Sequence, residues 1–373
     1  MKRAGLYIDF PFCIARCAFC AFPIQGFRAG LAEDYLAALH KELTLIAETP
    51  AVRDYEITSL YLGGGTPTTY SAEILSGLVA GCREHFQVAS DAEITLEAHP
   101  ATLNASRLSC LRQGGINRLS MGVQSFSDAQ LRTLGRNHTA EEADTAFHAA
   151  RSAGFTNIGI DLIYGLPEQD ADAWTPSLQH ALALSPEHLS VYGLSIEKGT
   201  LFGRQEKAGT LMRPRDEVLI GDYESARAQL TAAGYFQYEI SNFAKPGFPC
   251  RHNQRYWDRG EIIALGLAGH SYFQQEWREN TEILQKYIET LKRGMLPSIR
   301  CEKVSEADER IDKIIFGLRK TEGIPLQLLM HDILHSQTLA RLAKDGLVEI
   351  DKDRVRLTSA GMHWADEVAI AFI

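Results

Sequence analysis

The chain has no apolar run near the roughly 20 residues that a membrane-spanning helix needs. Its opening residues, MKRAGLYIDF, hold no secretory apolar core, and their apolar positions alternate as in a strand. A cytoplasmic protein is expected. Basic charge is in short supply, with 38 Lys and Arg against 47 Asp and Glu and a net charge of −9. That balance argues against a surface that coats nucleic acid. Cysteine is sparse too, at 7 in 373 residues. In a reducing compartment clustered thiols point to metal or catalysis before disulfides. No repeat appears beyond a strand–helix alternation, and no segment is of low complexity. What is left is an acidic globular chain, 45% hydrophobic, large enough for one big core and a smaller appendage.

Six β-rich runs occupy the first 200 or so residues: GLYIDF (Gly5–Phe10), SLYLGG (Ser59–Gly64), EITLEA (Glu93–Ala98), RLSMGV (Arg118–Val123), NIGIDLI (Asn157–Ile163) and HLSVYGL (His188–Leu194). Helix-like segments lie between them. Leu31–Glu48 has apolar residues at helical spacing. Ser71 and Thr139 are good N-caps, and Gly154 is a stop. Such alternation predicts parallel βα units. Six units are too few for a full eightfold barrel, so a partial (β/α)6 barrel or an open sheet is expected. In such folds chemistry sits at the C-terminal strand ends. The cysteine loop, GGGTP (Gly63–Pro67), Glu97, Gln124 and Asp161 all fall there. Beyond residue 200 the pattern changes. Tyr238–Gly260 is aromatic and irregular. Glu306–Arg319 reads as a helix, and Ser336–Thr358 as a helix followed by two strands joined at DKD, a winged-helix-like α+β pattern. Residues 301–373 carry 10 Lys and Arg against 13 Asp and Glu, so a structural or lid role is expected there rather than nucleic-acid binding. The expected division is a barrel core over 1–235, an irregular segment over 236–300 that completes the core, and a C-terminal winged-helix-like domain over 301–373.

Three of the seven cysteines stand in FCIARCAFC as C-x3-C-x2-C: Cys13, Cys17 and Cys20. Zinc would want a fourth ligand, and no histidine is near. Three thiolates on a short loop can instead hold three irons of a 4Fe–4S cluster and leave the fourth iron open. Cys82, Cys110 and Cys301 read as inert core thiols. In GGGTP, consecutive glycines let backbone approach a ligand and expose N–H donors; a tight turn is the plain alternative.

C-x3-C-x2-C after a first strand resembles the signature of the radical SAM superfamily. The resemblance implies that S-adenosylmethionine (SAM) chelates the open iron and can be cleaved to methionine and a 5′-deoxyadenosyl radical. LYIDFPFC, LGGGTPT, EITLEAHP, GINRLSMGVQSF, LGRNHT and IDLIYGLPEQ, in that order, are similar to one branch, the family of oxygen-independent coproporphyrinogen III oxidase and its relatives. That family's SAM positions match Tyr7, Gly64, Gly65, Thr66, Glu97, Gln124, Arg136 and Asp161. The implied fold is a radical SAM partial (β/α)6 barrel with a small C-terminal domain of the family's type.

Two features stand against the oxidase activity itself. Phe22 occupies the place of an extra cysteine, and only twelve residues precede Cys13. RHNQRYW (Arg251–Trp257) resembles the HNxxYW motif of the family's heme-chaperone branch. This implies heme as cargo, with His252 or Cys250 as iron ligand, Asn253 in the motif, Tyr256 and Trp257 on the porphyrin plane, and Arg251 or Arg255 for a propionate. The segment is expected outside the βα units. Implied partners are recipient hemoproteins and an electron donor for the cluster, and a homodimer is compatible with this. Ala21, His99, Leu265 and Leu267 depart from the family pattern. The rival reading is an enzyme of the same branch, a C-methyltransferase or a porphyrin-modifying oxidase.

Overall fold

The computed structural model describes residues 1–167, 173–330 and 333–373. Glu168 and Gln169, which close the IDLIYGLPEQ motif, lie outside the described residues.

Every one of the six runs is a strand: β1 (Lys2–Phe10), β2 (Tyr55–Gly64), β3 (Gln87–Ala98), β4 (Arg118–Gln124), β5 (Ile158–Tyr164) and β6 (His188–Gly193). They pair in parallel in that order. A seventh parallel strand, β7 (Ile262–Leu265), joins β1 on its free side. Sequence reading missed it, because it is short and stands far from the alternating region. Antiparallel strands continue the sheet past β7 through β8 (His270–Phe273), β9 (Glu276–Asn280) and β10 (Ser298–Lys303). On the far side Asn242–Ala244 pairs antiparallel with β6. The resulting sheet has 12 strands and two edges, so the barrel is open.

Alternation along the strands separates two faces. Leu60, Leu62, Leu96, Leu119, Met121, Ile160, Leu162, Leu189 and Val191 belong to the main apolar core. Helices α1 (Ala29–Ala47), α2 (Ala72–His85), α3 (Ala105–Gln113) and α4 (Ala140–Ser152) contribute their buried residues to that same core. Ser71 caps α2 by accepting from the Ile74 N–H, and Thr139 caps α4 in a reciprocal pair with Glu142. Residues of the opposite parity, Tyr61, Glu97, Ser120, Asp161 and Ser190, line an internal cavity instead.

Residues Arg251–Trp257 form a seven-residue helix, α5. It follows the six βα units in the chain and packs against the barrel. The His252 ring lies 5.1 Å from the Tyr61 ring and 6.1 Å from that of Tyr7, both on barrel strands. A Cβ on Gly5 would meet His252 Cε1 at 3.1 Å and Arg255 Cδ at 3.0 Å. Glycine at this point of β1 is what lets the helix pack so closely.

The C-terminal part has its own apolar core around Ile314, Leu318, Leu339, Val355 and Phe372. It comprises α6 (Glu306–Gly317), α7 (Ile333–Lys344) and a three-stranded antiparallel sheet of Ile324–Pro325, Arg354–Leu357 and Val348–Asp351. This is the helix–strand–strand order expected from the sequence. No helix among the described residues is long and apolar enough to cross a membrane.

Candidate active site: a cysteine-lined cavity in the barrel

Cys13, Cys17 and Cys20 are unpaired, partly buried thiols on the loop that follows β1. All three line one cavity of about 670 Å³. The loop is held against the end of β2 by two backbone bonds, Gly65 N–H to Phe10 O at 2.7 Å and Thr66 N–H to Phe12 O at 2.9 Å. Thr66 Oγ1 lies 3.3 Å from Cys13 Sγ, and Arg136 Nη1 donates to Cys17 Sγ at 3.4 Å. Burial pushes the Cys13 thiol up to about 11 and raises that of Cys20, while Thr66 opposes the shift at Cys13. Thiols so placed must lose their protons to bind metal, and a hydroxyl and a guanidinium stand ready to stabilise the thiolates. Among the described residues no three His, Cys, Asp or Glu side chains form a single-ion site; three thiolates would serve three of a cubane's four irons and leave the fourth without a protein ligand.

Of the eight family SAM positions, seven line the same cavity: Gly64, Gly65, Thr66, Glu97, Gln124, Arg136 and Asp161. Tyr7 does not. Its ring stacks on Tyr61 at 5.9 Å and its hydroxyl reaches Asp9 Oδ2 at 3.5 Å, so it acts on the cavity through Tyr61. Glu97 accepts from the Tyr61 hydroxyl at 2.8 Å and from the Gly64 N–H at 3.1 Å. Burial pushes its carboxyl up to about 7 and also raises that of Asp161. Asp161 accepts from Ser120 Oγ at 3.3 Å. Gln124 ends β4 with φ of 70°, a left-handed conformation that costs a non-glycine residue ~1–3 kcal/mol. Its side chain lines the cavity. Arg136 also donates to Gly122 O at 2.5 Å. His99 lines the rim, packs edge-on to His138 at 4.9 Å, and is held neutral by burial and by Arg136.

The HNQRYW residues divide between places. His252 and Cys250 are buried in the barrel floor. His252 Nδ1 is 3.0 Å from Ser59 Oγ, and Cys250 Sγ lies 3.6 Å from Glu93 Oε1. Neither side chain stands at the protein surface in this structure. Arg251 and Arg255 are tied down as well, to Asp91 O and Thr58 O and to Arg3 O and Thr58 Oγ1. Asn253 lines the cysteine cavity. Tyr256 packs edge-on against His252 at 5.5 Å. Trp257 turns the other way, into a second cavity of about 1250 Å³ between α5 and the C-terminal part. Sequence reading missed Arg118, Ser120, Ser190 and the inward position of Asn253. An arginine opening an otherwise apolar strand was the available signal. Cys82 is buried as expected, but Cys110 is only partly buried and Cys301 is exposed.

Fold, cysteine loop and cavity define a radical SAM protein, and residues 7–179 match the Radical SAM superfamily. Residues 304–364 match the HemN C-terminal domain. The chain is 35% identical to the heme chaperone HemW of Mycobacterium tuberculosis, over 98% of this chain and 93% of that one. It is 34% identical to HemW of Bacillus subtilis, over 100% and 99%. The coproporphyrinogen III oxidase HemN of Escherichia coli, a radical SAM enzyme, superposes with a TM-score of 0.86 at 28% identity, covering 100% of this chain and 90% of that one. The chain belongs to the HemW family.

Proposed function

We propose that this protein is a heme chaperone that holds a 4Fe–4S cluster on Cys13, Cys17 and Cys20, binds SAM in the barrel cavity, and passes heme to recipient hemoproteins in the cytoplasm. The observation that carries the reading is the position of α5. This one short helix bears the heme-chaperone motif, closes the barrel floor, and presents Trp257 to the second cavity. The bound cluster and SAM would supply one-electron chemistry. The chain's own residues position them: Thr66 and Arg136 at the thiolates, the Gly64–Gly65 backbone and Glu97 at the amino acid end of SAM, and Asp161 and Gln124 along its length.

Heme in this reading docks in the second cavity, with Trp257 against the plane. Arg310, whose Nε is buried without a partner, lines that cavity and suits a propionate. Lys313, Lys320 and Arg354 line it too, but are paired with Glu309, with Asp258 and Glu322, and with Glu322. His252 then acts by positioning α5. A radical SAM enzyme of the same branch is the second reading, favoured by the seven intact cavity positions. Anaerobic incubation with SAM and reductant, with and without heme or a porphyrinogen, followed by mass spectrometry, separates the two. The chaperone should bind heme with a shifted Soret band and leave it chemically unchanged. A methylated or decarboxylated product formed together with 5′-deoxyadenosine would establish the enzyme.

A further inference from the structure

The main apolar core and the C-terminal core share no residue. Ion pairs and hydrogen bonds stitch the seam between them. Lys320 pairs with Asp258 at the end of α5, and Arg319 with Glu239 at 3.8 Å. His363 Nε2 lies 3.0 Å from Glu224 Oε1, and Gln275 donates to Glu309 Oε2 at 3.2 Å. A polar joint between two separately packed bodies permits relative motion. The second cavity lies on this seam. Trp257 and Asp258 line it from the end of α5, and Glu309, Arg310 and Lys313 line it from α6.

One crossing of the seam does more than the rest. Arg259 follows α5 with φ of 54°, at the place where glycine ordinarily ends a helix. An arginine enters that left-handed conformation only at a cost, so its side chain has to be held there by its surroundings. The residue is 6% exposed. Its Nε and Nη2 both donate to Asp312 Oδ2 on α6, at 2.9 and 2.7 Å. The guanidinium carbon lies 3.2 Å from the ring centre of Tyr272 on β8 and 4.3 Å from that of Trp277 on β9. Arginine suits this place, because its planar group stacks on rings with one surface and binds a carboxylate with its edge. A single side chain thus ties α5, the β8–β9 hairpin and α6 together. The tip of that hairpin is left-handed as well, with φ of 54° at Gln274 and 57° at Gln275, where asparagine and glycine are usual. Gln275 lines the second cavity. Among the described residues, three of the seven left-handed non-glycine positions therefore meet at this seam. Strained backbone of this kind gathers at clamps and switches. We propose that Arg259 is a latch: while it grips Asp312, α6 stays against α5 and the second cavity is closed in, and release of that grip lets ligand enter and leave. The latch stands on these contacts alone; that its ligand is heme rests on the function proposed above.

Hydrogen exchange on the anaerobically reconstituted full chain reads the latch without any added ligand. The Ile240 and Thr321 amides cross the seam, donating to Arg319 O at 3.1 Å and to Tyr238 O at 3.2 Å. Arg259→Gly relieves the left-handed backbone and removes the grip. In that variant both amides should exchange roughly tenfold faster, while those of the parallel strands β2 to β5 keep their rates. Asp312→Asn should act in the same direction, and Arg259→Lys should retain part of the protection. Stopped-flow mixing with hemin, followed in the Soret band, reads passage through the gate. Association and dissociation should both rise, by about three- to tenfold, with Kd nearly constant. A residue that only shapes the site would raise dissociation alone, and that pattern overturns the latch. Unchanged seam exchange in Arg259→Gly and Asp312→Asn overturns it too, as does exchange raised equally through the barrel strands. Faster seam exchange with hemin rates unaltered keeps the latch and overturns the docking of heme in the second cavity. Should Arg259→Gly fail to fold, Asp312→Asn and Arg259→Lys decide by the same measures.

Discussion

Gly65 is the point where the end of β2 meets the cysteine loop, and Gly65→Ala tests whether that contact builds the metal site. An added Cβ would lie 2.9 Å from both Phe10 O and Phe12 O and 3.0 Å from Cys13 Sγ. Neither carbonyl can retreat freely, because Phe10 O accepts from Gly65 N–H itself and Phe12 O from the Thr66 N–H. Overpacking of this kind costs ~1–3 kcal/mol. Reduced freedom of the unfolded chain returns ~0.4–1 kcal/mol. The net expectation is a loss of about 1–2 kcal/mol, a factor of roughly 5–30 in the folded-to-unfolded ratio. Gly77 and Gly81 on α2 are the controls. Neither would meet any atom within 4 Å, so alanine there should add ~0.5–1 kcal/mol. Urea unfolding of the reduced, metal-free chain reads the difference as a change in midpoint at constant slope. Iron and sulfide analysis after reconstitution reads the displaced Cys13 as a substoichiometric cluster. If Gly65→Ala matches the two controls in stability and holds about four irons, the contact does not build the site.

Two further outcomes follow from the cavity's chemistry. Replacing Cys13, Cys17 and Cys20 with Ala should abolish iron and sulfide binding, whereas Cys82→Ala and Cys301→Ala should retain both; only Cys82→Ala should lower stability, because only that thiol is buried. Glu97, raised to about 7 by burial, is largely protonated in the free protein below that pH, while the positive charge of bound SAM favours its ionised form. Binding therefore releases a proton, and SAM affinity should fall up to tenfold per pH unit below about 7 and level off above it. Glu97→Gln should flatten that profile, and a wild-type profile already flat from pH 5 to 8 would refute the role.

Most of the barrel was legible because its strands obey one simple rule. Their outward residues meet helices and their inward residues meet a polar cavity, so EITLEA and RLSMGV alternate where a doubly buried parallel strand would read as unbroken apolar sequence. Glu97, Gln124 and Asp161 were found for the same reason, since a polar residue at the C-terminal end of such a strand has one place to go. Residues whose placement depends on distant partners were not legible. β7 joins β1 from more than 250 residues away, and nothing local marks it as parallel. Cys301 sits on β10, a largely exposed strand at the sheet edge, where its hydrophobic character is no guide. Arg118 hides at a strand start, where an arginine ordinarily faces solvent.

The HNQRYW helix is the instructive case, and it decides which heme experiment is informative. The motif was read as a surface that meets heme with His252. In the structure the His252 ring fills the space against Tyr7 and Tyr61 and accepts or donates at Ser59. His252→Ala would open a cavity there and leave the buried Ser59 hydroxyl unpaired, a loss of ~2–4 kcal/mol when the two effects combine. Weakened heme binding in that variant would therefore follow from a loosened α5 as readily as from a lost iron ligand. Trp257 separates the cases. It faces the second cavity, with the Arg319 guanidinium 4.8 Å from its ring centre, and it lies at the end of α5 away from the barrel cavity. Trp257→Ala should lower heme affinity about tenfold or more, while SAM affinity and cluster content stay as in the wild type. His252→Ala should disturb SAM and heme together, because Asn253 on the same turn lines the cysteine cavity. Should Trp257→Ala bind heme like the wild-type chain, the second cavity is not the heme site, and heme must reach the protein where His252 and Tyr256 become accessible by movement of α5.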